Sequence, residues 1–249
     1  MKNLEWDEDH ETWEAFKIYE DFRWLFNKLE VALRQNLHAG PAGTAPIKSG
    51  YYISRPTYNT YGMGIGAKKF YYNLSTDYTD FINHAVVPPG HFWCEWIEGP
   101  QLSIDYEMTE RNVWRTRSAW VGKHIDENKS LVKFQSWERI DNSLAPHPYL
   151  TSLKFPWWGV QAEASARDLV KGFNVEMRGG KIIEVHLRFG NDPFDDLPVG
   201  TRITPVWNDE EPLEGVEFMP NLHEDMTKYS ASGQLSDVRK GFIVTRPSH

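Results

Sequence analysis

The chain has 249 residues, 40% of them hydrophobic and 25% charged, a composition that suits one large globular domain or two small ones. The net charge of −8 gives no general argument for nucleic-acid binding, and a single cysteine, Cys94, excludes an intrachain disulfide or a cysteine zinc cluster. The acidic start from Met1 to His10 lacks the apolar stretch of a signal peptide, and no apolar run reaches the roughly 18 residues a membrane span needs, so a cytoplasmic location is expected.

From Glu11 to Leu37 the spacing predicts an amphipathic helix. Trp13, Phe16, Phe22, Leu25, Leu29, Leu33 and Leu37 recur mostly at three- and four-residue intervals. His38-Ala39-Gly40-Pro41 ends it with Gly then Pro. This helix is read as packing only, with no chemistry.

Tyr51 to Ser54 is β-rich. Arg55-Pro56 then opens a segment with glycines at Gly62, Gly64 and Gly66, whose backbone amides can approach a phosphate closely. It is not a Walker loop, because no Gly-Lys-Ser/Thr follows. It is not the dinucleotide fingerprint either, because its last glycine spacing is one residue too short. Taken alone it reads equally well as a hairpin turn.

Lys68 to Asn73 is predicted as a strand and Thr76 to Ala85 as a short helix or loop. A strong strand runs from His91 to Ile97, with Cys94 inside it as a buried small hydrophobe. Glu98-Gly99-Pro100 is a turn, and Gln101 to Tyr106 is an alternating strand. Asn112 to Val121 and Ser130 to Trp137 also read as extended. Arg111, Arg115, Arg117 and Lys123 make this region the most basic part of the chain, either a solvated antiparallel sheet or a wall for an anionic substrate. Trp157 to Val170 is predicted as a helix ended by Gly172. Gly200 to Trp207 and Phe242 to Thr245 are the last predicted strands.

After the Trp157 to Val170 segment, Phe173 to Arg188 reads as a β-hairpin with an Arg178-Gly179-Gly180 turn. Alternation places Glu184, His186 and Arg188 on one face, and Glu176 on the partner strand can converge with them. Carboxylates in such an array suit Mg²⁺, and a neighbouring guanidinium suits phosphate. A solvated sheet face is the plain alternative.

Three stretches, in this order, resemble the ATP-grasp family, notably the ATP-binding domain of the carbamoyl-phosphate synthetase large subunit and related carboxylate–amine ligases. Arg55 to Ala67 looks like the family's Arg-Pro and glycine loop. Glu95 to Asp105 looks like its adenine hinge. Asn174-Val175-Glu176 followed by Glu184-Val185-His186-Leu187-Arg188 looks like its two metal strands. The resemblance covers residues 45 to 192 and implies an α+β fold in which two subdomains with antiparallel sheets clasp a nucleotide. Residues 1–192 would form the nucleotide-binding domain with its N-terminal helix, and 193–249 an extension packed on it.

The implied roles follow residue by residue. Arg55 would touch phosphate, with Gly62, Gly64 and Gly66 as a lid over it. Glu95, Trp96 and Ile97 would flank adenine, and Gln101 stands where relatives carry a ribose-binding acid. Glu176, Glu184 and His186 would hold Mg²⁺, or Mn²⁺, because the imidazole replaces the family's usual Asn oxygen with nitrogen. Arg188 would hold the transferring phosphoryl group. The implied activity is an ATP-dependent carboxylate–amine ligase acting through an acyl phosphate. The alternatives are a non-catalytic nucleotide-binding or assembly protein of the same fold, and a β-rich nucleic-acid binder using its many aromatic rings. The hairpin is shorter than usual, and one helix stands where relatives carry a substrate domain. The site for the carboxylate and amine is therefore expected to be reduced, replaced or lent by a partner protein.

Overall fold

The structure is a computed structural model that describes residues 16–17, 20–58, 66–110, 113–125, 131, 133–146, 172–190, 194, 196–207, 210, 215–220 and 239–247. Two antiparallel sheets carry it. The small sheet has four strands in the order β1-β4-β2-β3: β1 is Ala39–Pro41, β2 Gly50–Pro56, β3 Lys68–Tyr72 and β4 His91–Glu95. The large sheet has eight, in the order β11-β12-β10-β7-β6-β5-β8-β9. Its strands are β5 (Gln101–Met108), β6 (Trp114–His124), β7 (Phe134–Arg139), β8 (Gly172–Arg178), β9 (Lys181–His186), β10 (Arg202–Trp207), β11 (Glu217–Pro220) and β12 (Arg239–Thr245). The C-terminal strands enter this sheet through the pairing of Arg202 and Ile203 on β10 with Glu138 and Trp137 on β7. Among the described residues no helix is long and apolar enough to cross a membrane.

The N-terminal helix is not continuous, as its apolar periodicity had implied. A 3₁₀ turn, Glu20–Phe26, leads into a short helix α1, Lys28–Arg34. The break falls at Asn27, whose backbone is extended and whose side chain accepts from the N–H of Glu30. That bond satisfies one of the amides a helix start leaves open, so α1 begins afresh there. The predicted helix from Trp157 to Val170 lies outside the described residues.

α1 is the wedge between the sheets. Val31, with Leu25 and Phe26 before it, joins the core built on Ile104, Tyr106, Phe173, Val175, Met177, Ile182 and Val185 of the large sheet. Ala32 and Leu29 pack instead on Phe92, Cys94 and Ile53 of the small sheet. Gln35, just after α1, is buried and bonds both backbone groups of Ile182: its Nε2 donates to the carbonyl at 2.7 Å and its Oε1 accepts from the N–H at 2.8 Å. The edge of β9 is thereby satisfied by a side chain in place of a strand. On its far face the small sheet buries Tyr52, Tyr72, Trp93 and Val87 against Phe81 of a second short helix, α2 (Tyr78–Ile82).

The β8–β9 hairpin turns on Gly179 and Gly180, with φ of 51° and 78°, a conformation costly for any residue with a Cβ. A Cβ on Gly179 would also stand 2.0 Å from the Glu98 carbonyl oxygen, so this turn must be glycine to seat against the hinge segment. Farther along, the register slips. Met177 faces Ile182, but Glu176 faces Glu184, leaving Ile183 as the extra residue of a β-bulge. Strict alternation would put Ile182 and Glu184 on one face. The bulge separates them. Ile182 and Val185 enter the core opposite Met177 and Val175, while Glu184 and His186 emerge on the other face opposite Glu176 and Asn174.

Candidate functional site

The polar face of β5, β8 and β9 is built from residues opposite one another. Gln101 faces Arg178, Ser103 faces Glu176, and Asp105 faces Asn174. Asp105 is buried and fully used. It accepts from Asn174 at 2.9 Å, from Ser118 at 3.0 Å and from the Gly190 N–H at 2.8 Å. This network fixes the floor beside His186.

Glu176, Glu184 and His186 converge as the hairpin reading expected, with one donor atom of each within 4.8 Å of the others. His186 Nε2 lies 3.1 Å from Glu184 Oε1, and the Lys28 ammonium lies 3.3 Å from Glu184 Oε2. These side chains are nearly enclosed: 12% exposed for His186, 14% for Glu184 and 7% for Lys28. Gln101 Nε2 donates to Glu176 Oε2 at 3.2 Å, and its Oε1 faces His124 Nε2 at 3.2 Å. The Gln101 amide thus orients Glu176.

Arg55 comes from the small sheet. It sits opposite Phe92, its guanidinium 5.2 Å from that ring, and its buried Nε has no hydrogen-bond partner among the described residues. Glu184 and Glu176 both act on its charge. Arg55 thus shares the Phe92 and Cys94 face of the small sheet, the face that α1 covers. Cys94 lies beside Arg55 as the expected buried hydrophobe, and burial pushes its thiol up to about 11.

Glu95 ends β4, and Trp96 and Ile97 lead toward β5. Trp96 lies between two cations, with the Lys69 ammonium 4.1 Å and the Arg178 guanidinium 4.3 Å from its ring. Arg178 Nε also donates to the Ile97 carbonyl at 2.7 Å, and Glu95 Oε1 accepts from the His38 N–H at 2.8 Å. Gly66, with φ of 81°, closes the end of the glycine segment beside His91. Gly62 and Gly64 lie outside the described residues. β9 ends at His186, so strand alternation does not extend to Arg188, whose guanidinium donates to the Phe189 carbonyl at 2.8 Å. In the basic region Arg115 and Arg117 both pair with Glu107, Lys123 is exposed, and Arg111 is outside the described residues.

Comparison with solved structures places the arrangement. N5-carboxyaminoimidazole synthetase from Staphylococcus aureus, solved in complex with ADP, aligns over 93% of this chain and 70% of its own at 11% identity, with a TM-score of 0.52. N5-carboxyaminoimidazole ribonucleotide synthetase from Thermus thermophilus aligns over 94% and 74% at 12% identity, with a TM-score of 0.51. The chain has the ATP-grasp fold. No known family profile and no curated protein matches the sequence. In both sheets the core reaches α1, which packs between them.

The sequence reading missed Lys28. It had a signal, because Lys28 occupies the buried helical stripe of Leu25, Lys28 and Ala32, where a cation needs a partner. His124 was also missed; its link to Glu176 through Gln101 depends on cross-strand register, which composition does not report.

Two carboxylates this close cannot both be charged at low cost. Burial, then the neighbouring Glu184, raise the Glu176 carboxyl from its ordinary 4.5 to about 7, although Lys28, Arg55 and Gln101 pull it down. The folded protein thus holds a proton that the unfolded chain releases near pH 4.5. Glu176 contributes stability that is fully present below that pH and is lost as pH rises through 7. Glu176→Gln removes this dependence. It is expected to match the wild type at pH 4.5 and exceed it by about 2–3 kcal/mol at pH 8 in metal-free urea denaturation. Parallel pH profiles for the two proteins would show that Glu176 is ionised at no such cost.

Proposed function

We propose that this protein is an ATP-dependent carboxylate–amine ligase acting through an acyl phosphate. The observation that carries the reading is the convergence of Glu176, Glu184 and His186 on one face of the β8–β9 hairpin. The donor set fits a divalent ion. Two carboxylates supply charge and hard oxygens, the imidazole adds a nitrogen that suits Mn²⁺ alongside Mg²⁺, and small rotations bring atoms 4.8 Å apart to one centre. When bound, such an ion neutralises charge on the terminal phosphates of ATP.

The chain's own residues do the rest by position and charge. Arg55 and Lys28 present two cations to the polyphosphate. The Glu95 to Ile97 segment would border the base, and Arg188 would steady the phosphoryl group in transfer. A substrate carboxylate attacks the terminal phosphorus, releasing ADP and forming an acyl phosphate. The amine then attacks the acyl carbon and phosphate leaves, so no protein nucleophile is needed. Titration calorimetry with ATP, with and without Mg²⁺, tests the reading. Metal-dependent ATP binding supports it, and absence of ATP binding under both conditions refutes it.

One observation favours a second reading, in which the protein binds nucleotide without turnover. The Lys28 ammonium already neutralises Glu184, a proposed metal ligand. ATP binding with no ADP release across panels of carboxylates and amines would favour that reading.

A further inference from the structure

The Lys28–Glu184 contact has an unusual setting. Both oxygens of Glu184 are engaged, Oε2 by the ammonium at 3.3 Å and Oε1 by His186 at 3.1 Å. A cation entering among Glu176, Glu184 and His186 must therefore displace one of these neighbours or share an oxygen with it. Lys28 cannot retreat with its backbone. It is the first residue of α1, and its N–H donates to the Thr57 carbonyl at 2.9 Å. The helix is held further by Val31 in one core, Ala32 in another, and the paired bonds of Gln35 to Ile182. The ammonium is thus a ligand for Glu184 on a short tether, at a high effective concentration.

The Glu184 charge is already neutralised without any ion, by the Lys28 ammonium at 3.3 Å in a site where the two side chains are 14% and 7% exposed. A divalent ion arriving alone would leave the cluster with surplus positive charge in an enclosed site. A polyphosphate arriving with it would give the displaced ammonium a new partner. We propose that Lys28 is a built-in competitor of the divalent cation at Glu184, so that the metal enters together with nucleotide and not before it. This rests on the metal reading given above and adds to it an order of loading.

The test is Mn²⁺ binding, followed by electron paramagnetic resonance of the free ion, with Mn²⁺ alone and then with ADP. Lys28→Met and Lys28→Gln are expected to bind Mn²⁺ alone about tenfold tighter than the wild type, since an internal competitor reduces apparent affinity by its own occupancy. Lys28→Arg keeps the charge and should stay near wild type. ADP should tighten Mn²⁺ binding more in the wild type than in Lys28→Met. The gain should vanish when Glu184→Gln is added to Lys28→Met. Circular dichroism on each variant confirms folding, and Lys28→Gln serves if Lys28→Met does not fold. Unchanged or weaker Mn²⁺ binding in both neutral variants overturns the competition and leaves the metal site standing. If no protein binds Mn²⁺, alone or with ADP, the metal reading fails, and the competition with it.

Discussion

Glu184→Gln is expected to lower ATP-dependent turnover roughly 10³-fold, the scale seen when one preorganised charge at a transferring phosphoryl group is removed. Glu184 sits at the centre of the cluster, between Lys28 and His186 and directly opposite Glu176. The fold should tolerate the change, because two effects on stability oppose each other. Lys28 loses its ionic partner while only 7% exposed, which destabilises. The repulsion that raises the Glu176 carboxyl also disappears, which stabilises at neutral pH. A thermal midpoint within a few degrees of wild type, together with lost turnover, is the expected pair of results. Turnover preserved within threefold would remove Glu184 from the metal site.

Many of the strands, though not their order in the sheets, could be read in advance. β2, β4, β5, β8 and β9 each announce themselves by β-branched and aromatic runs bounded by Gly or Pro. The short strands β1 and β11 could not be read so, since three or four residues carry no usable periodicity. The helix break was legible but overlooked. Asn27-Lys28-Leu29-Glu30 has the cap residue and the acid three positions on that mark a helix start.

The candidate site was legible for a partly accidental reason. Alternation correctly puts Glu184 and His186 together. It does not by itself put Glu184 on the face of Glu176, because an unbroken register from the Gly179-Gly180 turn would align Ile183 with Glu176. The bulge at Ile183 corrects the phase, and what drives it is the apolar pair Ile182 and Val185, which both reach the core only if one residue is skipped. Contacts between elements distant in sequence, such as Lys28 with Glu184 or Gln35 with Ile182, follow from how α1 wedges between the sheets. No local pattern encodes them.

On the proposed reading, Arg55→Met is expected to cost about as much turnover as loss of Glu184, roughly 10³-fold in kcat/KM, by removing the cation that reading assigns to the phosphates. The substitution separates charge from packing. Methionine keeps an unbranched apolar stem against Phe92, where the guanidinium now lies 5.2 Å from the ring. It removes the charge that the small sheet brings to Glu176 and Glu184. The Glu176 carboxyl, now held near 7 partly against the pull of Arg55, should rise further. The loss of apo stability with pH should then extend to higher pH than in the wild type. Arg55→Lys should recover part of the turnover, since it returns a positive charge without the planar donor fork. A merely structural arginine predicts a different pattern: Arg55→Met would lose stability at every pH alike, and residual turnover would track the folded fraction. Kinetics at saturating Mg²⁺ beside urea denaturation from pH 5 to 9 distinguish the two, and turnover within threefold of wild type in folded Arg55→Met would exclude Arg55 from the phosphate site.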